Sequence, residues 1–484
     1  MLSRSRSAAA HPSRGRRTAQ RGRRLLFRTV ALTAVAGLGL SLHAAVPAPV
    51  VPEVSTGDQQ IELSRATPNP VTPGDFAGYG FDQCLAPNQK AMDTWLRTSP
   101  FLAAGIYISG KSRACRDQPN LTPAWIRTQL ARGWKLLPIT LGPQASCSTR
   151  FPRYGNDPTI KAKPGKKKRY VPARKMGRAE AGSAVAEAKR LGIVAKSTLW
   201  YDLEAFDIGN THCRESAMAF LHAWTVRLHE LNYVSGVYSS AGSGIKMLDD
   251  ARVNRPKAYR LPDRIWVARW DNKANTSTSY IREDGWRPGN RVKQYQGGHN
   301  ETWGGVTINI DRNWLEVGQY NKAPISKRCG GVRVSYRTFP TLNPPTASST
   351  PPVGRVKSLQ CLLTEQGQYQ GAINGKLNRR TLNAVTAWQS RRGLRARDAV
   401  GVQEWMTLHS AGTWSVLKTG SLGPAVRRVQ LSLNAANPKL RLRASGRYDA
   451  TTTAAVKAYQ RRVGLKATGI VEKKTWRKLS NGIA

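Results

Sequence analysis

Eight short apolar runs of β type, separated by turns and helical stretches, constrain the fold of this 484-residue chain more than any other feature. The candidate strands are Gly78–Asp82, Gly105–Ile108, Leu136–Leu141, Thr198–Glu204, Ser235–Tyr238, Ile265–Trp270, Val292–Gln296 and Val306–Asp311. Helical periodicity intervenes at Gln89–Thr98, Pro123–Arg132, Ala179–Leu191 and Arg214–Leu231. This alternation predicts an α/β fold, a (β/α)8 TIM-type barrel or a variant of it with missing helices. A doubly wound open sheet is the competitor, although no G-x-G-x-x-G motif follows the first run.

The tetrapeptide Tyr201-Asp202-Leu203-Glu204 is the strongest candidate for chemistry within these runs. Because side chains alternate along a strand, Asp202 and Glu204 are predicted to point to one face. Two neighbouring carboxylates repel, which raises the pKa of one and leaves the other ionised. Such a pair can protonate a glycosidic oxygen and stabilise the cation left behind. Acidic residues at strand ends also cap loops or bind arginine, so the motif alone leaves both interpretations open.

The amino-terminal segment is typical of a secretory signal peptide, which we place at residues 1–44. It contains nine Arg and no acid, and it includes an apolar run from Val30 to Leu42. That run is too short and too rich in Ala and Gly for a stable membrane span, with an uncleaved anchor as the alternative. Arg23-Arg24 is similar to the start of a twin-arginine signal, and Sec export stays equally open. We therefore expect a secreted, cell-wall-associated protein.

The charge of the chain indicates its partner. The sequence has 76 Lys and Arg against 29 Asp and Glu, a formal net charge of +47. For an exported protein this favours an anionic cell-wall polymer as the partner. Nucleic-acid binding is disfavoured, because only the charge supports it and export conflicts with it. Residues 150–178 concentrate the charge, with eleven Lys or Arg and one acid. We predict that this segment is a mobile loop at the barrel rim, either a solvated insertion or an electrostatic contact with the wall.

The six cysteines form an even set, at positions 84, 115, 147, 213, 329 and 361. Export permits disulfides, and none of the spacings is typical of a zinc site. We predict two bridges among the first four cysteines, with their pairing left open. The third bridge is predicted between Cys329 and Cys361.

Composition also predicts the domain boundaries. Residues 45–75 form a linker rich in Pro and Val, residues 76–325 form the barrel, and residues 326–353 form a second linker. Beyond it the sequence is duplicated at an offset of 70 to 71 residues. The duplication predicts two small all-α three-helix modules, at residues 354–411 and 418–482. Two copies of one module are typical of a binding unit that gains avidity.

Each repeat carries a Gly turn, a Thr, an Ala-Val pair and an aromatic-Gln pair. These residues are Gly375, Thr381, Ala384-Val385 and Trp388-Gln389 in the first repeat, and Gly446, Thr452, Ala455-Val456 and Tyr459-Gln460 in the second. In this pattern the repeats resemble the bacterial peptidoglycan-binding domain, a three-helix module. The resemblance implies peptidoglycan, or another anionic cell-wall glycan, as the partner.

A second resemblance covers the predicted barrel. The motifs that carry it are Gly80-Phe81-Asp82, Tyr201–Glu204, Gly236–Ser240, Ile265–Trp270, Gln294–Gln296 and Asn309-Ile310-Asp311. In their order and spacing they resemble the lysozyme-type muramidases of glycoside hydrolase family twenty-five. The resemblance is closer still to relatives of those enzymes described as a glycoside-hydrolase-like domain of unknown function.

The resemblance implies an active site of four acids at the C-terminal mouth of the barrel. Glu204 would be the general acid, and Asp202 would stabilise an oxocarbenium or oxazolinium ion. Asp82 and Asp311 would hold the other two in charge state and position. The aromatic residues expected to offer stacking faces to sugar rings are Tyr79, Tyr107, Tyr238, Trp266 and Trp270.

Other classes of cell-wall enzyme are disfavoured by the residues that are missing. The seven His include no H-x-H or H-E-x-x-H motif, so we predict neither a metal nor another cofactor. A cysteine transpeptidase needs a Cys with an upstream His on a β-fold, and Cys147 lacks that setting; Gly242-Ser243-Gly244 is not a nucleophile elbow. The leading prediction is a secreted glycosidase of lysozyme type. The alternative is a non-catalytic protein that uses the same barrel to bind cell-wall glycan.

Overall fold

The computed structural model describes residues 68–153, 156–319 and 328–484. The predicted signal peptide and most of the linker predicted at residues 45–75 lie outside the described residues. The boundary predicted at residue 325, between the barrel and the second linker, also lies outside them. In the part of the chain that is described, no helix combines the length and the apolar character needed to span a bilayer.

Eight strands close into one barrel, in which each strand lies beside its neighbours in the sequence. They are β1 (Phe76–Asp82), β2 (Ala103–Ser109), β3 (Lys135–Thr140), β4 (Thr198–Asp202), β5 (Val234–Ser240), β6 (Arg264–Ala268), β7 (Asn290–Trp303) and β8 (Val306–Val317). The predicted closed barrel is confirmed, and the open sheet is excluded. The predicted fourth and sixth strands are too long, since β4 ends at Asp202 and β6 at Ala268.

The direction of the last strand departs from an all-parallel (β/α)8 barrel. Strands β1 to β7 pair in parallel, whereas β8 runs antiparallel to both β7 and β1. The turn between β7 and β8 is Gly304-Gly305, and both glycines have positive φ, at 57° and 78°. A turn this short can join only antiparallel strands, because a parallel pair needs a long crossover.

Five helices follow the first five strands. They are α1 (Gln89–Thr98), α2 (Pro123–Ala131), α3 (Val171–Arg190), α4 (Thr211–Glu230) and α5 (Lys246–Asn254). Four of them were predicted, and α5 was missed. Helix α3 begins at Val171, so the last part of residues 150–178 is helical and the prediction of a loop is wrong there. The predicted variant with missing helices is the observed one, since among the described residues no helix joins β6 to β7 or β7 to β8.

Large aromatic side chains fill the inside of the barrel beneath its C-terminal end. Trp266 meets Trp200 edge-on at 5.5 Å between ring centroids, and it meets Tyr238 in the same way at 5.6 Å. Gly236 on β5 lies against this packing, and a Cβ there would come within 2.4 Å of the Trp200 ring. The barrel is therefore a packed core with a floor, and any ligand must bind above it.

Three disulfides form, at Cys84–Cys115, Cys147–Cys213 and Cys329–Cys361. The prediction of two bridges among the first four cysteines is confirmed, as is the bridge between Cys329 and Cys361. The first bridge joins the loops that follow β1 and β2. The second ties the segment after β3 to the first turn of α4.

Six further helices form two sets of three around one shared hydrophobic core. They are α6 (Val353–Glu365), α7 (Arg379–Arg391), α8 (Val402–Ser410), α9 (Pro424–Ala436), α10 (Ala450–Arg462) and α11 (Lys473–Ser480). A buried glutamine has the same role in each set. The Gln360 side chain accepts a hydrogen bond from Gly375 N at 2.8 Å, and Gln430 accepts one from Gly446 N at 2.9 Å. The sequence duplication is therefore also a duplication of structure.

Candidate active site

The carboxyl ends of the parallel strands converge at one end of the barrel, which we call the mouth. Asp82 is the last residue of β1, and Asp202 is the last residue of β4. Glu204 follows in the loop, and Asp311 on β8 lies opposite Asp82 in the strand register. All four side chains line one cavity of about 230 Å³. Asp311 lies at the mouth in the middle of β8, where the antiparallel strand begins to pair with β1.

Asp82 and Asp311 form a buried pair. The Asp82 carboxylate accepts hydrogen bonds from Asn313 Nδ2 at 2.5 Å and from Gln294 Nε2 at 3.2 Å. Gln294 Nε2 also donates to Asp311 Oδ2 at 3.3 Å. Burial and the charge of Asp311 raise the pKa of Asp82 well above its usual value, and burial raises the pKa of Asp311 to about 6. The pair therefore tends to hold a proton near neutral pH.

Asp202 is only 2% exposed, yet it lines the cavity. Its Oδ2 accepts a hydrogen bond from the Tyr107 hydroxyl at 3.2 Å, and its Oδ1 has no hydrogen-bond partner among the described residues. Burial, and then the negative charge of Glu204, raise the pKa of Asp202. A carboxyl group with one unpaired oxygen thus faces the cavity and favours the protonated state.

Gln144 fixes the backbone around both acidic residues of the tetrapeptide. Its Nε2 donates to Asp202 O at 2.7 Å, and its Oε1 accepts from Glu204 N at 2.8 Å. Ser243 supports the next turn of the same loop, because its hydroxyl both donates to Phe206 O and accepts from Phe206 N. Asp202 and Glu204 therefore lie at one cavity although Glu204 is in a loop and not, as predicted, on the strand.

Two arginines of the basic segment approach Glu204. Arg150 Nη1 lies 3.1 Å from Glu204 Oε2, and Arg153 Nη2 lies 3.9 Å from Oε1. The Arg150 side chain is 59% exposed, so this ion pair is at the edge of the cavity and in contact with solvent. The sequence indicated the positive charge of this segment but not its contact with Glu204. Arg150 and Glu204 are 54 residues apart in the chain, and such a distant contact leaves no local sequence pattern.

Gln294 joins the acids to the aromatic side chains of the mouth. Its Oε1 accepts hydrogen bonds from the Tyr238 hydroxyl and from Trp270 Nε1, both at 2.9 Å. Trp270 is 60% exposed. Its ring lies flat against Gly297, where a Cβ would come within 2.7 Å of it. One face of the Trp270 ring is thus supported by the backbone of β7, while much of the ring is exposed to solvent.

Two of the five aromatic residues predicted to bind substrate lie elsewhere. Trp266 is 1% exposed and donates from Nε1 to Asn313 Oδ1 at 2.7 Å, so it supports the floor and offers no face to a ligand. Tyr79 lies on the outer face of β1 and meets Trp314 edge-on at 4.8 Å. The reason is the strand period of two, which places Asp82 inside the barrel and Tyr79 outside.

The described residues of the mouth do not bring together ligand atoms for a metal ion. Among the described residues, the one group of His, Cys, Asp and Glu ligand atoms close enough to share an ion is Cys329, Cys361 and Glu365. Its two sulfur atoms already form a disulfide, so they are not available as thiolates. The carboxylates at the mouth bind protons, tyrosine and amide groups and the arginine side chain described above.

Comparison with known families places two parts of the chain. Residues 93–315 match the family described as Rv2525c-like, glycoside hydrolase-like domain. Residues 423–479 match the putative peptidoglycan binding domain, whereas the first predicted repeat is outside that match. The first match includes Asp202, Glu204 and Asp311 and begins after Asp82. No curated protein matches the chain.

Several solved structures are similar to about half of the chain. An uncharacterized protein of B. stearothermophilus is 17% identical, with a TM-score of 0.30, over 49% of this chain and 95% of that one. The Tat-secreted protein Rv2525c of Mycobacterium tuberculosis, in complex with L-tartrate, is 14% identical, with a TM-score of 0.33, over 49% and 95%. A family 25 glycosyl hydrolase from Bacillus anthracis is 11% identical, with a TM-score of 0.29, over 50% and 91%.

Proposed function

We propose, from the premise that this chain carries a glycoside hydrolase-like domain of the Rv2525c-like family and a peptidoglycan-binding domain, that it is an exported hydrolase of cell-wall glycan. The second domain directs the protein to the wall. The substrate would be the aminosugar strand of peptidoglycan, cut in the manner of a muramidase. The three disulfides support export, because such bonds persist in oxidising compartments outside the cytoplasm.

The observation that carries this proposal is the meeting of four carboxyl groups around one cavity. Hydrolysis of a glycoside needs one carboxyl group that delivers a proton and a second group that stabilises positive charge on the sugar. The cavity of about 230 Å³ suits roughly one pyranose ring, with the rest of the polymer lying across the mouth.

Glu204 is our candidate for the general acid. Its side chain is 17% exposed, whereas Asp82 and Asp202 are buried, and its backbone is fixed by Gln144, so a substrate oxygen can approach its side chain from the rim. Arg150 occupies one of its oxygens. Proton delivery by Glu204 therefore requires this ion pair to open, which an anionic substrate could bring about by taking over the guanidinium group.

Asp202 is our candidate for the group that stabilises the developing cation or orients the sugar's acetamido group. In the empty site burial favours its neutral form. Positive charge that develops on a bound sugar would favour its ionised form, which is when the stabilisation is needed. Tyr107 keeps Asp202 oriented through its hydroxyl group. Asp82 and Asp311 would not contact the reacting atoms. They would hold the other two acids in charge state and position, and both accept hydrogen bonds from the amide of Gln294.

The test is digestion of purified peptidoglycan, with mass analysis of released fragments and a count of new reducing ends. Glu204→Gln should lower the rate by about 100-fold or more, because it removes the proton donor but not the shape of the site. Asp207→Asn is the matched control, since Asp207 lies in the same loop but away from the cavity. Release that is unaffected by Glu204→Gln would exclude Glu204 as the acid.

A second arm of this experiment tests the ion pair. Arg150→Ala should raise the rate by about 2- to 10-fold, because Glu204 would no longer have to exchange one partner for another. Arg169→Ala removes an exposed arginine of the same segment away from the mouth and should leave the rate unchanged. A loss of activity as large as that of Glu204→Gln would instead place Arg150 on the substrate.

A non-catalytic glycan-binding barrel is the second candidate. The observation in its favour is the pair of arginines at Glu204, which closes part of a small cavity. If this candidate is right, the wild-type protein binds peptidoglycan but releases no fragments and produces no reducing ends. Trp270→Ala would then weaken binding, while Glu204→Gln would have little effect on it.

A further inference from the structure

A second and larger cavity lies between the outer face of the barrel and helices α9 to α11. Its volume is about 1400 Å³. We call it the cleft. One wall comes from β1, α1, β7 and β8, and the other comes from residues 418–475. It lies outside the barrel, whereas the four acids of the mouth face the inside.

Close contacts hold the two walls of the cleft together. Lys418 is 1% exposed, and its Nζ donates to Ser99 O at 2.8 Å and to Phe101 O at 3.0 Å, just beyond the end of α1. Backbone meets backbone at Gly78 and Gly420, since a Cβ on Gly78 would lie 3.1 Å from Thr419 O. Such contacts need a defined geometry, so the cleft is a built feature of the fold and not a gap between loosely tethered parts.

The barrel wall of the cleft is aromatic. Tyr79 and Trp314 project from neighbouring strands and meet edge-on, and both side chains are partly exposed. Trp303, close to the hairpin turn between β7 and β8, also lines the cleft. Rings arranged in this way bind the apolar faces of sugars, because a pyranose presents a row of C–H groups to the ring.

Cations surround these rings. The cleft is lined by seven Lys or Arg and two Asp or Glu. Arg97 contributes from the barrel, and Lys457, Lys466 and Lys474 contribute from the opposite wall. All four are exposed, and within the described part of the chain none of them forms an ion pair. An excess of unpaired cations beside aromatic rings favours a ligand that combines sugar rings with negative charge.

We propose that the cleft is a second glycan-binding site, built jointly by the barrel and the last three helices, for a segment of cell-wall polymer that carries carboxylate or phosphate groups. This inference deepens the proposed function by adding a non-catalytic site for the same polymer. It explains why an aromatic pair and a set of cations on separate parts of the sequence line one cavity. It does not depend on hydrolysis at the mouth.

The test is binding of the full-length chain to a soluble muropeptide tetrasaccharide, which is anionic, and to chitotetraose, which is its neutral counterpart. The barrel-side variant Arg97→Glu and the helix-side variant Lys466→Glu should each weaken binding of the anionic ligand by about 2- to 10-fold. Binding of chitotetraose should change by less than about twofold, because it offers no charge to the reversed residues.

Each variant has a matched control. Arg127→Glu reverses an exposed charge on α2 away from the cleft, and Arg395→Glu reverses the residue of the first repeat that corresponds to Lys466. Both should bind like the wild type. If all four variants weaken binding equally, the effect comes from the net charge of the protein and not from the cleft, which would overturn the proposal. Weakening by Lys466→Glu alone would also overturn it, since the barrel would then take no part.

A further comparison identifies the polymer. Binding to cell walls is measured before and after hydrofluoric acid removes phosphodiester polymers from them. If the effect of Arg97→Glu persists on the stripped walls, the ligand is peptidoglycan itself, and if the effect disappears, the ligand is the phosphodiester polymer. Binding is measured as affinity and hydrolysis as released fragments, so failure of this proposal and failure of the proposed hydrolysis are measured separately.

Discussion

At the scale of single residues, Gln294 organises the mouth. Its carbonyl oxygen is fixed by two donors, Tyr238 and Trp270, so its amide hydrogens must face the acids. They donate to Asp82 and Asp311, which no lysine or arginine contacts among the described residues. Among the described residues, negative charge on this pair is stabilised by these amides and, at Asp311, by the charge of His299, while burial opposes it. The pair thus retains a proton at a pH where an ordinary carboxyl group has lost it.

This proton predicts how stability depends on pH. Asp311 has a pKa of about 6 in the folded protein, above that of an unfolded aspartate, so the folded state binds more protons and stability falls as the pH rises from about 4 through 6. Asp311→Asn removes the ionisation. It should raise the free energy of unfolding at pH 7.5 by about 2 kcal/mol and leave it unchanged near pH 4. Denaturant titrations across this pH range measure the effect, with Asp207→Asn as the exposed control; a constant difference at all pH values would contradict it.

The sequence predicted which acids meet but not which polar groups surround them. The pattern of the residues alone predicted that Asp202 and Glu204 lie together, and the family resemblance implied that Asp82 and Asp311 join them. Gln144 and Arg150 lie in irregular segments, where no period predicts direction or contact. Such residues become visible only when the loop path is known.

At the scale of elements, the hairpin of β7 and β8 determines the shape of the mouth. Because β8 reverses direction, Asp311 and Asn313 lie where β8 first pairs with the mouth end of β1, and the rest of β8 continues along β1 as far as Val317, opposite Phe76. Alternation of apolar runs predicted the number of strands, since each run must be buried. It could not predict strand direction, which depends on the connection; the Gly304-Gly305 pair between two long runs was the available signal.

The packing of β5 gives a prediction at this scale. Gly236→Ala would place a methyl group within 2.4 Å of the buried Trp200 ring, which has no room to move. We expect a loss of about 2–4 kcal/mol in the free energy of unfolding. Gly182→Ala is the control, because a Cβ there meets no atom within 4 Å and helix α3 should gain about 0.5–1 kcal/mol. Chemical denaturation measures both, and equal effects at the two sites would contradict the role of close packing.

At the scale of the whole molecule, the last three helices and the barrel share a fixed contact. Sequence duplication and the Pro-rich composition predicted a linker followed by two small modules, without any contact between these modules and the barrel. In the structure, Lys418, Gly420 and Gly78 form a contact between segments more than 300 residues apart. Long-range contacts of this kind depend on surface shape, and neither composition nor periodicity records that shape.

Gly420 provides the test of this docking. It has a φ of 94°, and a Cβ would lie 2.3 Å from the Phe76 ring and 2.7 Å from Ala77 O, so Gly420→Ala should force the helices off the barrel. Gly423→Ala is the control, because its φ is also positive, at 107°, but its Cβ would meet nothing within 4 Å. The control should cost about 1 kcal/mol, and Gly420→Ala should cost about 2–4 kcal/mol.

Small-angle scattering should show a larger radius of gyration for Gly420→Ala and an unchanged one for Gly423→Ala. Loss of binding at the cleft should accompany the expansion. An unchanged radius in both variants would mean that the helices stay in place without this contact.

The main chain of Gly78 lies directly against the main chain of Gly420, so the distance between the cleft and the mouth is fixed. A strand gripped at one point would always be offered to the acids the same number of sugar units further along. The fixed distance would then set the length of the fragments that the protein releases, and its digestion products would cluster around one preferred length.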